Sequence, residues 1–276
     1  MSLDKLNVDL SGAAFCDVDE TGHAKDFIAY LDLASTCFRP VKRFALSLLQ
    51  LEPGQFVLDL GCGCGDDLRK LAPLVGPSGL AFGVDNSTSL IHEAQRRHGM
   101  SGLPLKFETG DAAHLRWADG FFHACYSDRV LQHLSDPQGT LLEIHRLLKP
   151  GGRVVVVDRD WGMVTLTAAD NATTTAVLSR ASTGIRNGRI GRQLSEMLHN
   201  AGFDAVEVYP HRIHIENFAT ADALLDLQVI LNHAVDEHLV EQRAADSWLA
   251  DLHHRDAVGS FSAAVSLFAS CAVKTC

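Results

Sequence analysis

The chain is short of several features, and each shortage removes a class of function. No apolar run approaches the roughly 20 residues a membrane-spanning helix needs, so no membrane partner is expected. Basic residues are scarce: 24 Lys and Arg stand against 34 Asp and Glu, a formal net charge of −10. Proteins that track a phosphate backbone present a basic face, so the whole-chain charge argues against a nucleic-acid partner. The start, Met1-Ser2-Leu3-Asp4-Lys5, lacks the basic-then-apolar pattern of a secretory signal. The cysteines number seven, an odd count, and three of them (Cys62, Cys64, Cys125) sit in the middle of apolar or glycine-rich segments. No disulfide framework is expected, and a reducing cytoplasm suits the chain. Cys62-Gly63-Cys64 is spaced more tightly than the usual zinc pair, and the 14 histidines are scattered, so no metal is expected.

What is present is ordinary in amount and informative in order. With 276 residues, 46% hydrophobic and 21% charged, the chain suits one large soluble domain with insertions. Its most telling stretch is Val57-Leu58-Asp59-Leu60-Gly61-Cys62-Gly63-Cys64-Gly65. An apolar strand ends in an acid, and alternate glycines let the backbone turn tightly and approach a ligand. Asp66 to Ala72 then reads as a helix start. A dinucleotide fingerprint would need a third glycine at position 66. Asp66 stands there, and with Asp67 it would repel a pyrophosphate at the helix mouth.

The remaining strands each end on a polar landmark. Leu80-Ala81-Phe82-Gly83-Val84-Asp85 places an acid about 20 residues beyond the turn, the usual offset for a carboxylate that accepts from ribose hydroxyls, with Asn86 beside it. Leu105 to Thr109 leads into Gly110-Asp111-Ala112. Phe121 to Tyr126 leads into Ser127-Asp128-Arg129. Leu147-Leu148-Lys149-Pro150-Gly151-Gly152-Arg153 turns into a fifth strand, Val154 to Val157, closed by Asp158.

In this order the motifs resemble those of the class I S-adenosylmethionine-dependent methyltransferases. Asp59, Gly61, Gly63 and Gly65 match that family's D/E-x-G-x-G-x-G motif, and Arg146 to Gly152 is similar to the signature of its ubiquinone-biosynthesis-like branch. The resemblance implies S-adenosylmethionine as cofactor. Asp59, the three glycines, Asp85, Asn86, Asp111, Ala112 and Ser127 would hold it, and Tyr30 would meet its methionine end. It does not extend to the nucleic-acid branches: the adenine N-methyltransferase loop is replaced by Ser127-Asp128-Arg129-Val130, and no Pro-Cys nucleophile occurs.

The fold expected is a doubly wound, Rossmann-like α/β sheet of seven strands, mostly parallel, with a C-terminal antiparallel hairpin. Residues 1 to about 20 read as loosely held. Apolar residues from Phe27 to Leu49 suit two helices, making residues 1–50 a helical lid. Residues 51–276 would form the catalytic domain, with cap insertions at about 161–190 and 217–258. Strands are expected over Ala205 to Ile215 and Phe261 to Val273. The apolar run Leu224 to Leu231 would face either the core or a second subunit.

Methyl transfer is an in-line displacement, so the protein chiefly aligns the acceptor, and a base is needed only for a protonated one. His133 and Asp158 are the candidates for that work. Arg129, Asp160 and Trp161 are candidates for contact with a small-molecule acceptor, and Arg186, Arg189 and Arg192 form a basic cluster nearby. Two alternatives stay open: an enzyme that binds the cofactor without transferring methyl, as a cyclase would, and a peptide or protein methyltransferase.

Overall fold

A computed structural model describes residues 14–275. Seven strands form one sheet in the order β3-β2-β1-β4-β5-β7-β6. They are β1 (Phe56–Leu60), β2 (Leu80–Asp85), β3 (Leu105–Thr109), β4 (Phe122–Asp128), β5 (Leu148–Leu166), β6 (Asp204–Ile215) and β7 (Ala263–Val273). The β1–β2, β2–β3, β1–β4 and β4–β5 pairs are parallel. Strand β7 runs antiparallel to both β5 and β6.

The apolar strands have no polar side to give to water, so both faces must be covered. Val57, Val155 and Val157 pack in one core, and Leu58, Val154 and Val156 in the other. Helices α5 (Pro137–Leu147) and α7 (Leu194–Asn200) cover the second face. Helices α1 (Ala24–Cys37), α2 (Arg39–Leu48) and α3 (Leu68–Val75) contribute to the first. Helix α4 (Thr88–His98) follows β2. Strand order reverses between β2 and β4, on either side of β1. Ligands of such sheets bind in the crevice this opens at the strands' carboxyl ends.

The cap differs from its expected outline in one boundary. Strand β5 continues through Trp161 to Leu166, because β7 supplies an antiparallel partner: Asp160 faces Ser266 and Thr165 faces Ala264, with a bulge between. The first insertion's helix, α6, therefore spans only Asn171–Gly184. The second insertion forms α8 (Phe218–Leu225), α9 (Leu227–Asp236) and α10 (Gln242–Ala257). Trp248 of α10 is fully buried and donates from its indole to Thr174 Oγ1 at 2.8 Å, tying the two insertions together. Leu224, Leu227, Ile230 and Leu231 are buried in the same core as α1 and α2.

Of residues 1 to about 20, read as loosely held, 1–13 lie outside the described residues, while Phe15 to Glu20 depart from that expectation. They are packed as a strap across the carboxyl ends of the strands. Val18 is buried. Asp19 accepts from Ser87 Oγ at 2.8 Å, from Thr88 N at 2.7 Å and from Ser89 N at 3.2 Å. A carboxylate at a helix N-terminus satisfies donors that have no partner within the helix. Those hydrogen bonds outweigh the desolvation of Asp19 and lower its pKa. Polar content alone hid this, because the pairing is with residues some 70 positions away.

Asp19→Ala removes this shared cap and should cost about 1 kcal/mol. A urea titration would show it as a lower midpoint with an unchanged slope. An unchanged midpoint would mean that the strap is not held at α4.

Candidate functional site

A cavity of about 500 Å³ opens at the carboxyl ends of β1, β2 and β4, a size within the usual range for small-molecule sites. Ten of the fifteen residues singled out from sequence line it: Tyr30, Gly61, Gly63, Asp85, Asn86, Asp111, Ala112, Arg129, His133 and Trp161. Five do not. Asp59 lies beneath the glycine turn, beside a smaller void it shares with Lys42, Asp67 and Asp128. Gly65 serves packing: a Cβ there would come within 2.5 Å of the Phe107 ring. Ser127 is fully buried, and its hydroxyl has no hydrogen-bond partner. Asp158 is fully buried in the sheet. Asp160 is fully buried and ion-paired in two-pronged fashion to Arg192, and it also accepts from Gly162 N at 3.0 Å.

The glycine turn has its shape for steric reasons. Gly61, Gly63 and Gly65 all have positive φ, at 73°, 51° and 79°. Gly61 and Cys62 donate to Val84 O at 2.7 and 3.0 Å, binding the turn to β2. A Cβ on Gly61 would lie 2.2 Å from Val130 Cγ2. Asp85, at the end of β2, accepts from Gly63 N at 2.9 Å through one oxygen and from Ser87 N at 3.0 Å through the other. A carboxylate has about four acceptor positions. Gly63 and Ser87 use two of them, with the Asn86 amide as a further backbone donor, and the remaining capacity at the cavity wall is free for a diol. Burial pushes the Asp85 pKa up, partly countered by these backbone donors. The residues present fit a nucleoside resting on the turn.

Below the turn lies a charge network not foreseen from sequence. Lys42 of α2 is buried and paired with both Asp67, at the start of α3, and Asp128, at the end of β4. Burial works against the lysine's charge, but Asp128 and Asp67 together raise its pKa above the ordinary value. Asp67 also receives Lys70 at 2.8 Å. Burial works to raise Asp67, but the two lysines win and hold it down to about 2. Asp59 is pushed well above the carboxylate range, first by burial and then by Asp67. The repulsion expected at the helix mouth is therefore largely neutralised within the protein. Asp66 faces Arg97 at 3.4 Å and His98 at 3.2 Å. The sequence does carry one signal for Lys42: it falls on the buried face of α2, beside Val41, Ala45 and Leu46.

The other wall of the cavity is aromatic and cationic. Arg129 is nine-tenths buried and sits at φ 59°, a strained conformation for a side-chain-bearing residue. Its guanidinium lies over Tyr30 at 5.9 Å and Phe38 at 5.4 Å, close to Asp128 Oδ2 at 3.5 Å. Gln132 organises the neighbours. The Trp161 indole, which can only donate, gives its hydrogen to Gln132 Oε1 at 2.9 Å. The Gln132 amide nitrogen then faces His133 Nε2 at 3.0 Å. An amide nitrogen also only donates, so His133 Nε2 is the acceptor and the ring proton resides on Nδ1. His133 further stacks on Phe15 at 5.1 Å. The nitrogen best suited to take a proton is thus engaged by Gln132.

Phe15, Cys16, Val18, Gln132, Ile185, Leu224 and Asp226 also line the cavity and were not singled out from sequence. They come from the strap, the cap helices and the turn after β4, where no local motif marks a wall.

Asp158, the second base candidate, is raised to about 8, chiefly by burial and then by Asp128. The unfolded chain releases this proton near 3.8, whereas the native state keeps it to about 8. Stability should therefore fall as pH rises between those values. Asp158→Asn removes that dependence. Across urea titrations from pH 5 to pH 8, the variant should gain on the wild type as pH rises. Parallel curves would show that Asp158 is ionised in the native state.

A family model described as "Methyltransferase domain" matches residues 51–202, more than half of the chain. An uncharacterised 37.1 kDa protein of a Streptomyces fradiae transposon is 39% identical over 247 residues, 88% of this chain and 70% of that one. An arsenite methyltransferase of Halobacterium salinarum is 32% identical over 252 residues, 84% of this chain and 60% of that one. A ubiquinone/menaquinone biosynthesis C-methyltransferase of Legionella pneumophila is 33% identical over 138 residues, 49% of this chain and 55% of that one. The chain spans little more than half the length of the latter two relatives. The matched segment contains the glycine turn, Asp85, Asp111 and the strand-four loop, and with it the chain belongs to the methyltransferase-domain family as a class I S-adenosylmethionine-dependent methyltransferase.

Proposed function

We propose that this methyltransferase transfers methyl to an oxygen, nitrogen or carbon atom of a small molecule enclosed between the glycine turn and the cap, in specialised metabolism. The observation that carries the reading is Asp85. Its carboxylate spans the glycine turn and the start of α4, with acceptor capacity left at the cavity wall. Asp85 would hold the ribose diol, Gly61 and Gly63 would border the methionine end, and Asp111 and Ala112 would meet the adenine. Bound there, S-adenosylmethionine would supply an electrophilic methyl group to the acceptor.

The protein's own share is alignment and exclusion of water. The strap residues Phe15, Cys16 and Val18 and the cap residues Ile185 and Leu224 enclose the cavity. A pocket walled on two sides in this way supports a small acceptor over a peptide lying in a groove. With His133 Nε2 engaged by Gln132, the arrangement favours an acceptor that arrives as an anion or as a nucleophile needing no base. Among the described residues no helix is long and apolar enough to cross a membrane. Six described cysteines are free thiols, which supports a cytoplasmic setting.

Calorimetry with S-adenosylhomocysteine tests the site. Asp85→Ala should weaken binding by about 2 kcal/mol or more, roughly thirtyfold, through loss of charge-assisted hydrogen bonds. Gly63→Val should abolish it. A Cβ there already lies 3.2 Å from Leu31 Cδ1, and φ of 51° disfavours a branched residue. Wild-type affinity in both folded variants would refute the placement. Methyl transfer to a copurifying or screened acceptor separates the enzyme from a non-methylating binder.

A further inference from the structure

Resting on the methyl-transfer reading, we propose that the acceptor is an aromatic carboxylic acid whose carboxylate is held by Tyr30 and Arg129, in the part of the cavity walled by Trp161 and Arg186. Three observations converge on an anion there.

The first is a charge that the protein leaves unbalanced. Arg159 is 1% exposed and lies between Phe38 and Trp161, at 5.0 and 4.9 Å from their rings. It donates to Leu224 O at 3.1 Å and to Tyr30 Oη at 2.9 Å, and its Nε has no hydrogen-bond partner. No carboxylate lies within ion-pair distance of it among the described residues. A buried charge without a counter-ion is costly. The two carboxylates nearest these buried cations, Asp67 and Asp128, are both bound by Lys42.

The second is the direction of the Tyr30 hydroxyl. Its oxygen accepts from Arg159 at 2.9 Å and from Arg129 at 3.4 Å. Both interactions use lone pairs, so the O–H proton remains to be given. Tyr30 lines the cavity, where a carboxylate oxygen is the natural recipient. The third is Arg129 itself. Its Nε is buried without a hydrogen-bond partner, and the carboxylate nearest to it, Asp128, is already bound by Lys42.

The rest of that wall suits an aromatic body. Phe15, Tyr30 and Trp161 offer ring surfaces, Ile185 and Leu224 offer aliphatic ones, and Arg186 adds a cation. A carboxylate also occurs on the methionine end of the cofactor, so the source of the anion must be resolved by experiment.

The test is calorimetric titration of benzoate and 2-naphthoate, with benzamide and benzylamine as uncharged and cationic counterparts, into protein saturated with S-adenosylhomocysteine. The acids should bind at saturation, and the amide and amine should bind at least tenfold more weakly. Tyr30→Phe and Arg129→Gln should each weaken the acids about tenfold, and Arg129→Gln should change S-adenosylhomocysteine affinity less than threefold. Arg186→Gln, on an exposed side chain, provides a variant with little folding risk and should weaken the acids in the same direction. Acids that bind only in the absence of S-adenosylhomocysteine, with Tyr30→Phe weakening S-adenosylhomocysteine instead, would assign the cluster to the cofactor's own carboxylate and overturn the proposal. Equal binding of acid and amide, or no binding of either acid to the saturated protein, would also overturn it. Failure of the folded wild type to bind S-adenosylhomocysteine at all would remove the methyl-transfer reading first, and the proposal with it.

Discussion

The buried contact of Lys42 with Asp67 and Asp128 is the interaction on which the site's geometry depends. It joins three pieces of chain that no backbone ladder connects: helix α2, the helix that follows the glycine turn, and the end of β4. An ammonium removed from water needs strong partners to stay charged. Two carboxylates supply them, and each carboxylate in turn sits beside a functional element. Asp67 begins the helix at the glycine turn. Asp128 lies next to Arg129, whose strained backbone is secured by its amide donating to Val157 O at 2.7 Å. The network therefore fixes the floor of the cavity and the orientation of its cationic wall together.

The cavity combines two kinds of material. The half that would receive the nucleoside comes from strand ends and tight turns, where backbone hydrogen bonds and positive-φ glycines fix position. The half that would receive the acceptor comes from the strap, α1 and the cap. There, position is fixed by side-chain relays such as Trp161 to Gln132 to His133. A scaffold of this design can keep one cofactor geometry while the acceptor wall changes, because the two halves are held by different bonds.

This division also explains how much could be read in the sequence. Local chemistry was legible. The glycine turn, Asp85 and the β-strand run Val154 to Val157 are written in consecutive residues, and the structure brings ten of the singled-out side chains to one cavity. Contacts distant in sequence were not legible. Asp19 reads as a loose polar residue until Ser87 and Thr88 stand beside it. Asp160 reads as a loop acid at the end of a strand. It becomes a buried partner of Arg192 because β7 draws β5 onward for several more residues. Asp66 and Asp67 read as bare negative charge, whereas each faces cations from other helices. Periodicity reports which face of an element is buried; it does not report which distant residue will meet it.

The acids at the strand ends show how burial assigns charge. Asp59 and Asp128 lie at or next to the ends of β1 and β4, Asp158 lies within β5 level with the end of β4, and all three side chains are buried. They cannot all ionise beside one another at acceptable cost. The lysine lies against Asp128, while desolvation and charged neighbours raise the pKa of Asp59 and Asp158. Were all of them ionised together with Asp67, the three buried cations would be outnumbered and the cavity would repel an anion. The upward displacement of Asp59 and Asp158 lessens that negative charge, and Arg159, which meets Arg129 at the Tyr30 hydroxyl, has no carboxylate at ion-pair distance among the described residues. The same burial that makes Asp158 a poor candidate for a base thus lessens the negative charge that would oppose an anionic ligand.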